Sequence, residues 1–403
     1  MTETIQRDLA GNTLGDSWDF RNSDTQYGSH GIHTYLAAMI PGVADKLIRK
    51  TVPEQGSILD PFCGGGAVLV ESIEHGFQPT GVDINPLAVL ISKAKTTYLN
   101  NEILTGTYSN IVNNAQYGKD KGKIFPKSSK IDYWFKDYMI KPLSRLINQI
   151  KVIQDDKIRN FFECVFSATV RDVSLTYRNE QRLRRLQPED LNKFNPDVYT
   201  TFQKRAKDAI KRLNFLPRDS SATVIHGSAL DLPFKDGSFT NIICSPPYGD
   251  ERNGVPYSQF SKNMLIWLGY NREDLLNLKK LTLGGMQKND KLFESNYLDK
   301  VLKDLTKKQS LSEAISFYND YFKAIKEMIR VTTSKISIVI GSRTLQARTI
   351  DNAQITIDFM NNQGCKLEER YKRTLPSKRL PQMGNNKGAQ INEEDILIFA
   401  IKS

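Results

Sequence analysis

The sequence contains 403 residues, of which 39% are hydrophobic and 25% are charged, a balance typical of a folded globular protein and unlike that of a disordered chain. The length exceeds the usual size of one domain, so we expect two domains or one large domain with an insertion. Lys and Arg number 56 against 45 acidic residues, and the net charge of +11 favours a polyanionic partner such as DNA or RNA over a solvated basic surface.

Apolar runs and cysteines indicate a cytoplasmic protein. No apolar run approaches the roughly 18 residues that a membrane helix needs. The N-terminal sequence lacks the basic and apolar parts of a signal peptide. The four cysteines are widely separated and form no CxxC pair, so we expect reduced thiols and no metal site.

The predicted elements begin after a polar arm at residues 1–30. Residues 33–50 carry apolar residues at helical spacing, interrupted at Pro41. A short buried strand is predicted at 57–60 and a helix at 67–75, closed by a glycine.

A second strand at 79–86 and a following helix continue the alternation, which indicates a parallel α/β sheet. Residues 110–218 interrupt it with apolar residues spaced by three or four, which predicts a helical insertion. The α/β pattern resumes in 219–403, where 366–375 and 394–402 predict antiparallel strands that close the sheet.

Residues 60–66, DPFCGGG, join a predicted strand to a predicted helix through three consecutive glycines. Glycine adopts positive φ and, because it lacks a Cβ, lets a ligand approach the backbone closely. The N–H groups of the next helix suit a carboxylate or phosphate. The loop is neither GxGxxG nor a P-loop, since Cys63 replaces the first glycine and no Lys follows. A tight structural turn is the alternative.

Asp83 ends the second predicted strand. Doubly wound folds place an acid at this point to bind both hydroxyls of a ribose. An ordinary cap of the next helix is the alternative. Two acids at strand ends beside a glycine loop favour a cofactor that contains adenosine.

Residues 245–248, SPPY, follow the apolar run NIIC and are expected at the same edge of the sheet as the glycine loop. Pro246 and Pro247 fix φ and form a rigid turn from which the Ser245 hydroxyl and nearby carbonyls point outward. The Tyr248 ring offers a face for stacking. Such groups suit a nucleobase with an exocyclic amine, and a plain turn beside a core tyrosine is the alternative.

Together, DPFCGGG and SPPY resemble the two motifs of the amino-group DNA methyltransferases, which methylate N4 of cytosine or N6 of adenine from S-adenosyl-L-methionine. The serine form of the second motif is typical of the N4-cytosine enzymes. The resemblance includes HTYLAAMIP and YSQFSKNMLIWLG, and it covers residues 31–100 and 221–270. It implies a Rossmann-like class I methyltransferase sheet, mostly parallel with an antiparallel strand at the end, and a helical insertion.

The resemblance also implies roles for individual residues. Ser228 stands where the family often has an acid near the adenine ring, and its hydroxyl or Asp231 is expected to substitute. The residues expected to bind the cofactor are Met39, Asp60, Pro61, Phe62, Gly64, Gly65, Gly66, Asp83, Ile84 and Ser228. The residues expected to hold a flipped-out base are Ser245, Pro246, Pro247 and Tyr248.

The implied chemistry needs positioning more than acid–base groups. An aromatic amine is a poor nucleophile, and hydrogen bonds to the Ser245 side chain and the Pro246 carbonyl would direct its lone pair at the methyl group. Methylation of cytosine C5 would instead need a nucleophilic cysteine in a Pro-Cys context. Cys63 and Cys244 lack that context, and we interpret them as small buried residues.

The domain assignment follows from these motifs. Residues 31–109 are the cofactor-binding part and 219–403 the catalytic part, while 110–218 and 250–310 are candidates for reading DNA. Candidate contacts to the DNA backbone, for which a solvated basic face is the alternative, are Arg178, Arg182, Arg184, Arg185, Lys378 and Arg379.

We therefore predict a cytoplasmic, site-specific methyltransferase that acts on cytosine N4 in double-stranded DNA, with a separate restriction endonuclease as a candidate partner. The alternatives are an adenine-N6 DNA methyltransferase, an RNA base methyltransferase, and a nucleic-acid-binding protein with a relict cofactor fold. No residues suggest a bound metal.

Overall fold

The structure is a computed structural model. The residues that it describes are 17–21, 23–118, 126, 130–177, 182–249, 256–287, 290–291, 293, 295–346, 348–375 and 393–401. The strands in these ranges are β1 (Ile58–Asp60), β2 (Thr80–Asp83), β3 (Thr223–His226), β4 (Phe239–Cys244), β5 (Thr332–Gly341), β6 (Arg343–Leu345), β7 (Arg348–Ile350), β8 (Lys366–Thr374) and β9 (Glu393–Ala400).

A 3-10 helix at Gly28–Ile32 precedes the α-helices. The α-helices are α1 (Pro41–Thr51), α2 (Ala67–Glu74), α3 (Pro86–Thr96), α4 (Asn101–Tyr117), α5 (Ile131–Trp134), α6 (Asp137–Lys151), α7 (Asp156–Val173), α8 (Pro188–Lys193), α9 (Val198–Leu213), α10 (Tyr257–Leu268), α11 (Arg272–Leu281), α12 (Asn296–Lys303), α13 (Lys308–Val331) and α14 (Asn352–Asn362).

In the part of the chain that the structure describes, seven strands form one sheet in the order β3-β2-β1-β4-β5-β9-β8. Strands β3 to β5 in this order run parallel, and β9 runs antiparallel to both β5 and β8. The prediction of a mostly parallel Rossmann-like sheet closed by antiparallel strands is confirmed. The chain reverses its direction across the sheet between β1 and β4, which is where open α/β sheets bind ligands.

The two faces of the sheet bury different sets of helices. On one face, Ile58 of β1 and Ile243 of β4 pack with Val43 and Leu47 of α1. On the other face, neighbouring residues of the same strands pack against α13 and α14. Because adjacent side chains of a strand point to opposite faces, the apolar residues of β1 and β4 pack against helices on both sides of the sheet.

Helix α1 begins later than the apolar spacing of residues 33–50 predicts. Pro41 is its first residue, where the missing N–H removes no hydrogen bond of the helix. Residues 35–39 contain no helix and line the cavity described below. The interruption predicted at Pro41 is therefore the start of the helix, and the residues before it are available to a ligand.

Helices α4 to α9 lie between β2 and β3, and α7 packs against α3, α6, α9 and α10. Trp267 of α10 is fully buried, with its ring centre 5.6 Å from that of Phe135 and 6.3 Å from that of Phe166 in α7. The helices of the insertion thus share one hydrophobic core with α3 and α10. None of the helices in the described residues is both long and apolar enough to cross a membrane.

Candidate active site

The carboxyl ends of β1, β2 and β4 open into one cavity of about 550 Å³. Segment 35–39, the first turns of α10, the N-terminal part of α13 and residues from the end of α11 to Gln287 also line it. The residues singled out by sequence that line it are Met39, Asp60, Pro61, Phe62, Gly64, Gly65, Asp83, Ile84, Ser228, Ser245 and Pro247. The structure thus brings residues of the DPFCGGG loop and of the SPPY segment to a common cavity, while Gly66, Pro246 and Tyr248 are not among its lining residues.

The glycine loop has a conformation that other residues adopt only with strain. Gly64 and Gly66 have φ of +49° and +81°. A Cβ on Gly65 would lie 2.8 Å from the Cβ of Tyr35, closer than such atoms approach. The Gly66 N–H donates to the Cys63 carbonyl at 2.7 Å and closes the turn. Glycine is therefore needed at Gly65, because Tyr35 packs directly against the loop and leaves no space for a side chain.

Asp83 holds the glycine loop to the end of β2. Its carboxylate accepts hydrogen bonds from the Gly64 N–H at 2.9 Å and the Asn85 N–H at 2.8 Å. The cap of α3 is Asn85, whose side chain accepts from the Leu87 N–H at 3.0 Å. The alternative interpretation of Asp83 as the cap of this helix is therefore wrong, and its carboxylate faces the cavity instead.

Two acids, the buried Asp60 and the half-buried Asp83, line the cavity and favour a cation beside them. Burial raises the pKa of Asp60 to about 8, and the nearby Asp83 carboxylate adds to this rise while the Phe62 N–H opposes it. Burial also raises the pKa of Asp83, but only to about 6, since the N–H groups of Asn85 and Gly64 stabilise its charge. Each acid gains stability as a carboxylate when a cation lies beside it.

The SPPY segment leaves β4 and is fixed from several sides. The Tyr248 carbonyl accepts a hydrogen bond from the Asn352 side chain at 3.1 Å. The same amide group donates to the Gly341 carbonyl at 2.9 Å, which ties the segment to the end of β5. The Tyr248 hydroxyl donates to Glu394 Oε1 at 2.8 Å and lies 3.4 Å from the Ser245 Oγ. Ser245 is therefore held in a defined position at the cavity wall.

Sequence reasoning missed several residues that line the cavity or contact residues near it. Glu313 of α13 lines it and pairs with Arg343 at 3.1 Å, and the Arg343 side chain is fully buried. Glu394 and Arg343 come from distant segments without a local pattern, so no sequence signal pointed to them. Tyr257, whose ring stacks on that of Tyr35 at 6.1 Å, belongs to the stretch YSQFSKNMLIWLG that carries the family resemblance.

The candidate DNA contacts are described only in part. Arg182 is exposed. Arg184 and Arg185 lie over the rings of Tyr177 and Tyr133, at 5.1 Å and 4.5 Å. Arg178, Lys378 and Arg379 lie outside the described residues.

Two known methyltransferases resemble this chain over substantial parts of their sequences. The chain is 34% identical over 398 residues to the type II methyltransferase M.MvaI of Kocuria varians, across 90% of this chain and 87% of that protein. The chain belongs to the type II methyltransferases. This type II methyltransferase is also 23% identical over 190 residues to M.MjaII of Methanocaldococcus jannaschii, across 46% of its own length and 34% of that protein. No protein-family model matches it.

The solved structures that match this type II methyltransferase are more distant. The rRNA methyltransferase aviRa of Streptomyces viridochromogenes has a TM-score of 0.32 at 10% identity, with 91% of this chain and 88% of that chain covered. A SAM-dependent methyltransferase of Methanosarcina mazei also has a TM-score of 0.32 at 10% identity, with 88% and 96% covered. The family membership makes the protein a DNA methyltransferase that uses S-adenosyl-L-methionine.

Proposed function

We propose that this methyltransferase recognises a specific site in double-stranded DNA and methylates the exocyclic N4 of a cytosine that is flipped out of the duplex. The observation that supports this most strongly is the single cavity that contains both the glycine loop and Ser245. A methyl donor at the loop and an amine at Ser245 would share this enclosed space. The serine form of the SPPY motif favours cytosine N4 over adenine N6.

The cofactor half of the cavity fits S-adenosyl-L-methionine. Gly64 and Gly65 line the cavity, and Asp60 and Asp83 beside them favour the positive charges of the sulfonium and amino groups. We assign the methionine end to Asp60 and segment 64–66, with Met39 nearby. The ribose is assigned to Asp83, and the adenine to Ile84 and Ser228.

Ser245 and the Pro246 carbonyl are proposed to bind the amine of the target base. S-adenosyl-L-methionine supplies an electrophilic methyl group when it is bound. Two hydrogen bonds from the amine would pull its lone pair out of the ring plane and aim it across the cavity. Because Pro246 and Pro247 restrict the turn, little freedom remains to be lost when the base binds, and positioning lowers the barrier.

Sequence recognition is assigned to parts that extend beyond this cavity, although Tyr257 and other residues of 250–310 also line it. We propose that the helical insertion at 110–218 and the segment 250–310 contact the duplex, with Arg182 and other basic residues binding phosphates. A separate restriction endonuclease is the proposed partner, and the cytoplasm the proposed compartment. In this proposal, the N-terminal arm is residues 1–30, the cofactor-binding part is 31–109 and the catalytic part is 219–403.

Identification of the modified base tests this function. We expect methylation-sensitive sequencing of DNA from cells that express the protein to show one recognition sequence, and mass analysis of its nucleosides to show N4-methylcytosine. The Ser245→Ala variant, expressed to the same level, is the control and should leave this DNA unmodified. N6-methyladenine would support the adenine alternative, and label transferred from the cofactor to RNA alone would overturn a DNA substrate.

A further inference from the structure

The side chains of Ser245, Tyr248 and Glu394 connect the cavity to strand β9. Ser245 lines the cavity, its Oγ lies 3.4 Å from the Tyr248 hydroxyl, and that hydroxyl donates to Glu394 Oε1 at 2.8 Å. The first of these distances is long for a hydrogen bond between hydroxyls. Catalytic hydrogen bonds are commonly long before the substrate binds and shorten in the complex.

The donor and the acceptor of each hydrogen bond between Ser245, Tyr248 and Glu394 follow from the number of protons that these groups carry. An ionised carboxylate only accepts hydrogen bonds, so the single proton of Tyr248 is committed to Glu394. The Tyr248 oxygen can then only accept, and the Ser245 hydroxyl must be its donor. The remaining lone pairs of Ser245 Oγ are thus available to accept a hydrogen bond from a group in the cavity.

The charge of Glu394 is held in place by the neighbouring strand. Arg373 of β8 is the direct cross-strand neighbour of Glu394, and its Nη1 lies 3.4 Å from Glu394 Oε2. Burial, with the Glu394 charge as the next cause, raises the pKa of Tyr248 well above its usual range. Tyr248 therefore stays a neutral phenol that can accept one proton while it gives up another.

We propose that Glu394, acting through Tyr248, orients the Ser245 hydroxyl as an acceptor for the amine of the target base and receives the proton that this amine releases. The inference rests on the proposed function, because it concerns the same exocyclic amine. Ser245 is the catalytic residue in this scheme, and Tyr248 and Glu394 are the positioning residues behind it.

The proton balance of methyl transfer shows why such an acceptor is needed. The new N–CH₃ bond forms as the bond from carbon to the sulfonium sulfur breaks, and the sulfur keeps that electron pair. The methylated nitrogen becomes neutral when one N–H bond returns its electrons to nitrogen. Its proton moves to Ser245 Oγ, the Ser245 proton to Tyr248, and the Tyr248 proton to Glu394, which becomes a neutral acid.

A double-mutant cycle tests this series of hydrogen-bonded residues. The assay uses the complete protein, DNA that contains the recognition site found by sequencing, and labelled cofactor. We expect Tyr248→Phe and Glu394→Gln each to lower the single-turnover rate of methyl transfer by about 100-fold, the low end of the range for positioned proton-transfer groups. The double variant should be no slower than either single variant, because both break the same chain. The dissociation constant for the cofactor should stay within about threefold of wild type.

The matched control is Glu393→Gln, which removes the neighbouring acid on β9. Glu393 is exposed and pairs only loosely with Lys372, at 3.7 Å. Its variant should transfer methyl groups at the wild-type rate. Thermal unfolding of all variants separates loss of chemistry from loss of fold, since Glu394→Gln also removes the partner of the buried Arg373.

Binding without turnover gives a second measurement. DNA whose target cytosine is replaced by 2-pyrimidinone lacks the amine, and its affinity can be compared with that of normal DNA in the presence of S-adenosylhomocysteine. We expect wild type to prefer the amine and Tyr248→Phe to lose most of this preference. Wild-type rates and an unchanged preference in a folded Tyr248→Phe would overturn the inference, whichever methylated base the wild-type protein produces. A product other than N4-methylcytosine would instead contradict the proposed function.

Discussion

Asp60 is buried and Asp83 half-buried at the ends of parallel strands, and their carboxyl groups differ in how easily they ionise. Asp83 accepts two backbone N–H groups from residues of the glycine loop and of β2's end, whereas Asp60 accepts one, from Phe62. The pKa of Asp60 therefore rises to about 8 and that of Asp83 to about 6. At neutral pH without a cation beside it, Asp60 is mostly protonated.

This property makes the stability of the protein depend on pH. The Asp60 carboxyl ionises near pH 4 in the unfolded chain and near pH 8 in the folded protein, so the folded state holds the extra proton between these values. The free energy of unfolding should therefore fall as pH rises from about 5 to about 8. Asp60→Asn should flatten this part of the profile in urea unfolding, while the exposed Asp231→Asn should not. A profile unchanged by Asp60→Asn would show that another group is responsible.

Sequence alone identified the residues of the site that lie within motifs, but not those that reach it through tertiary structure. The glycines of segment 64–66 and the SPPY segment have local patterns with a physical meaning, and the structure places both at the cavity. Glu394 is 146 residues from Tyr248, and it reaches the site only because β9 pairs antiparallel with β5. The register of strands from distant parts of a chain has no local signature in one sequence.

At the scale of elements, α2 depends on glycines at both of its ends. Gly66 precedes the helix with φ of +81°, and Gly76 follows it with φ of +80°. A Cβ on Gly66 would lie 2.9 Å from Ser92 Oγ in α3, whereas a Cβ on Gly76 would meet no described atom within 4 Å. The two positions thus share a backbone conformation and differ in crowding.

Substitution of Gly76 and of Gly66 separates the free-energy cost of a left-handed backbone conformation from that of a steric contact. Gly76→Ala should lower the free energy of unfolding by about 1 to 2 kcal/mol, the cost of a left-handed residue with a side chain. Gly66→Ala should cost more and should also weaken cofactor binding in calorimetry, because the loop must move away from α3. Equal losses of stability together with unchanged cofactor affinity would contradict close packing of the loop on α3.

The apolar patterns predicted the strands of the sheet more accurately than the helices around the site. Strands β1, β4 and β5 place apolar residues in the cores on both faces of the sheet, so their short apolar runs are visible in the sequence. Residues 33–40 have apolar spacing but do not form a helix, because Tyr35 packs onto the glycine loop. The hairpin of β6 and β7 and helices α10 to α12 were not predicted.

At the scale of the whole molecule, the excess of positive charge and the shared core of the insertion are the dominant features. The protein has a net charge of +11, whereas its cavity is lined by two acids, Asp60 and Asp83, that ionise more readily beside a cation. The surface of the protein therefore attracts a polyanion such as DNA, whereas the cavity attracts a cation. Binding of DNA and binding of cofactor should respond differently to salt.

We expect affinity for a non-specific DNA duplex to fall by about a thousandfold or more between about 50 and about 200 mM salt, because each phosphate contact releases counterions. Cofactor affinity should change far less, since Asp60 and Asp83 are shielded from solvent ions by burial. Fluorescence anisotropy for DNA and calorimetry for the cofactor, over one salt series, measure both. Parallel salt dependence of the two affinities would contradict this separation of charge.

The position of β9 has a consequence for the timing of activity. Six of the seven strands of the sheet precede it along the chain, and β9 then takes an interior place between β5 and β8. A growing polypeptide that already contains the glycine loop and the SPPY segment still lacks the carboxylate behind Tyr248. Methyl transfer should therefore begin only after β9 has entered the sheet, and the first methylated DNA would mark that step of folding.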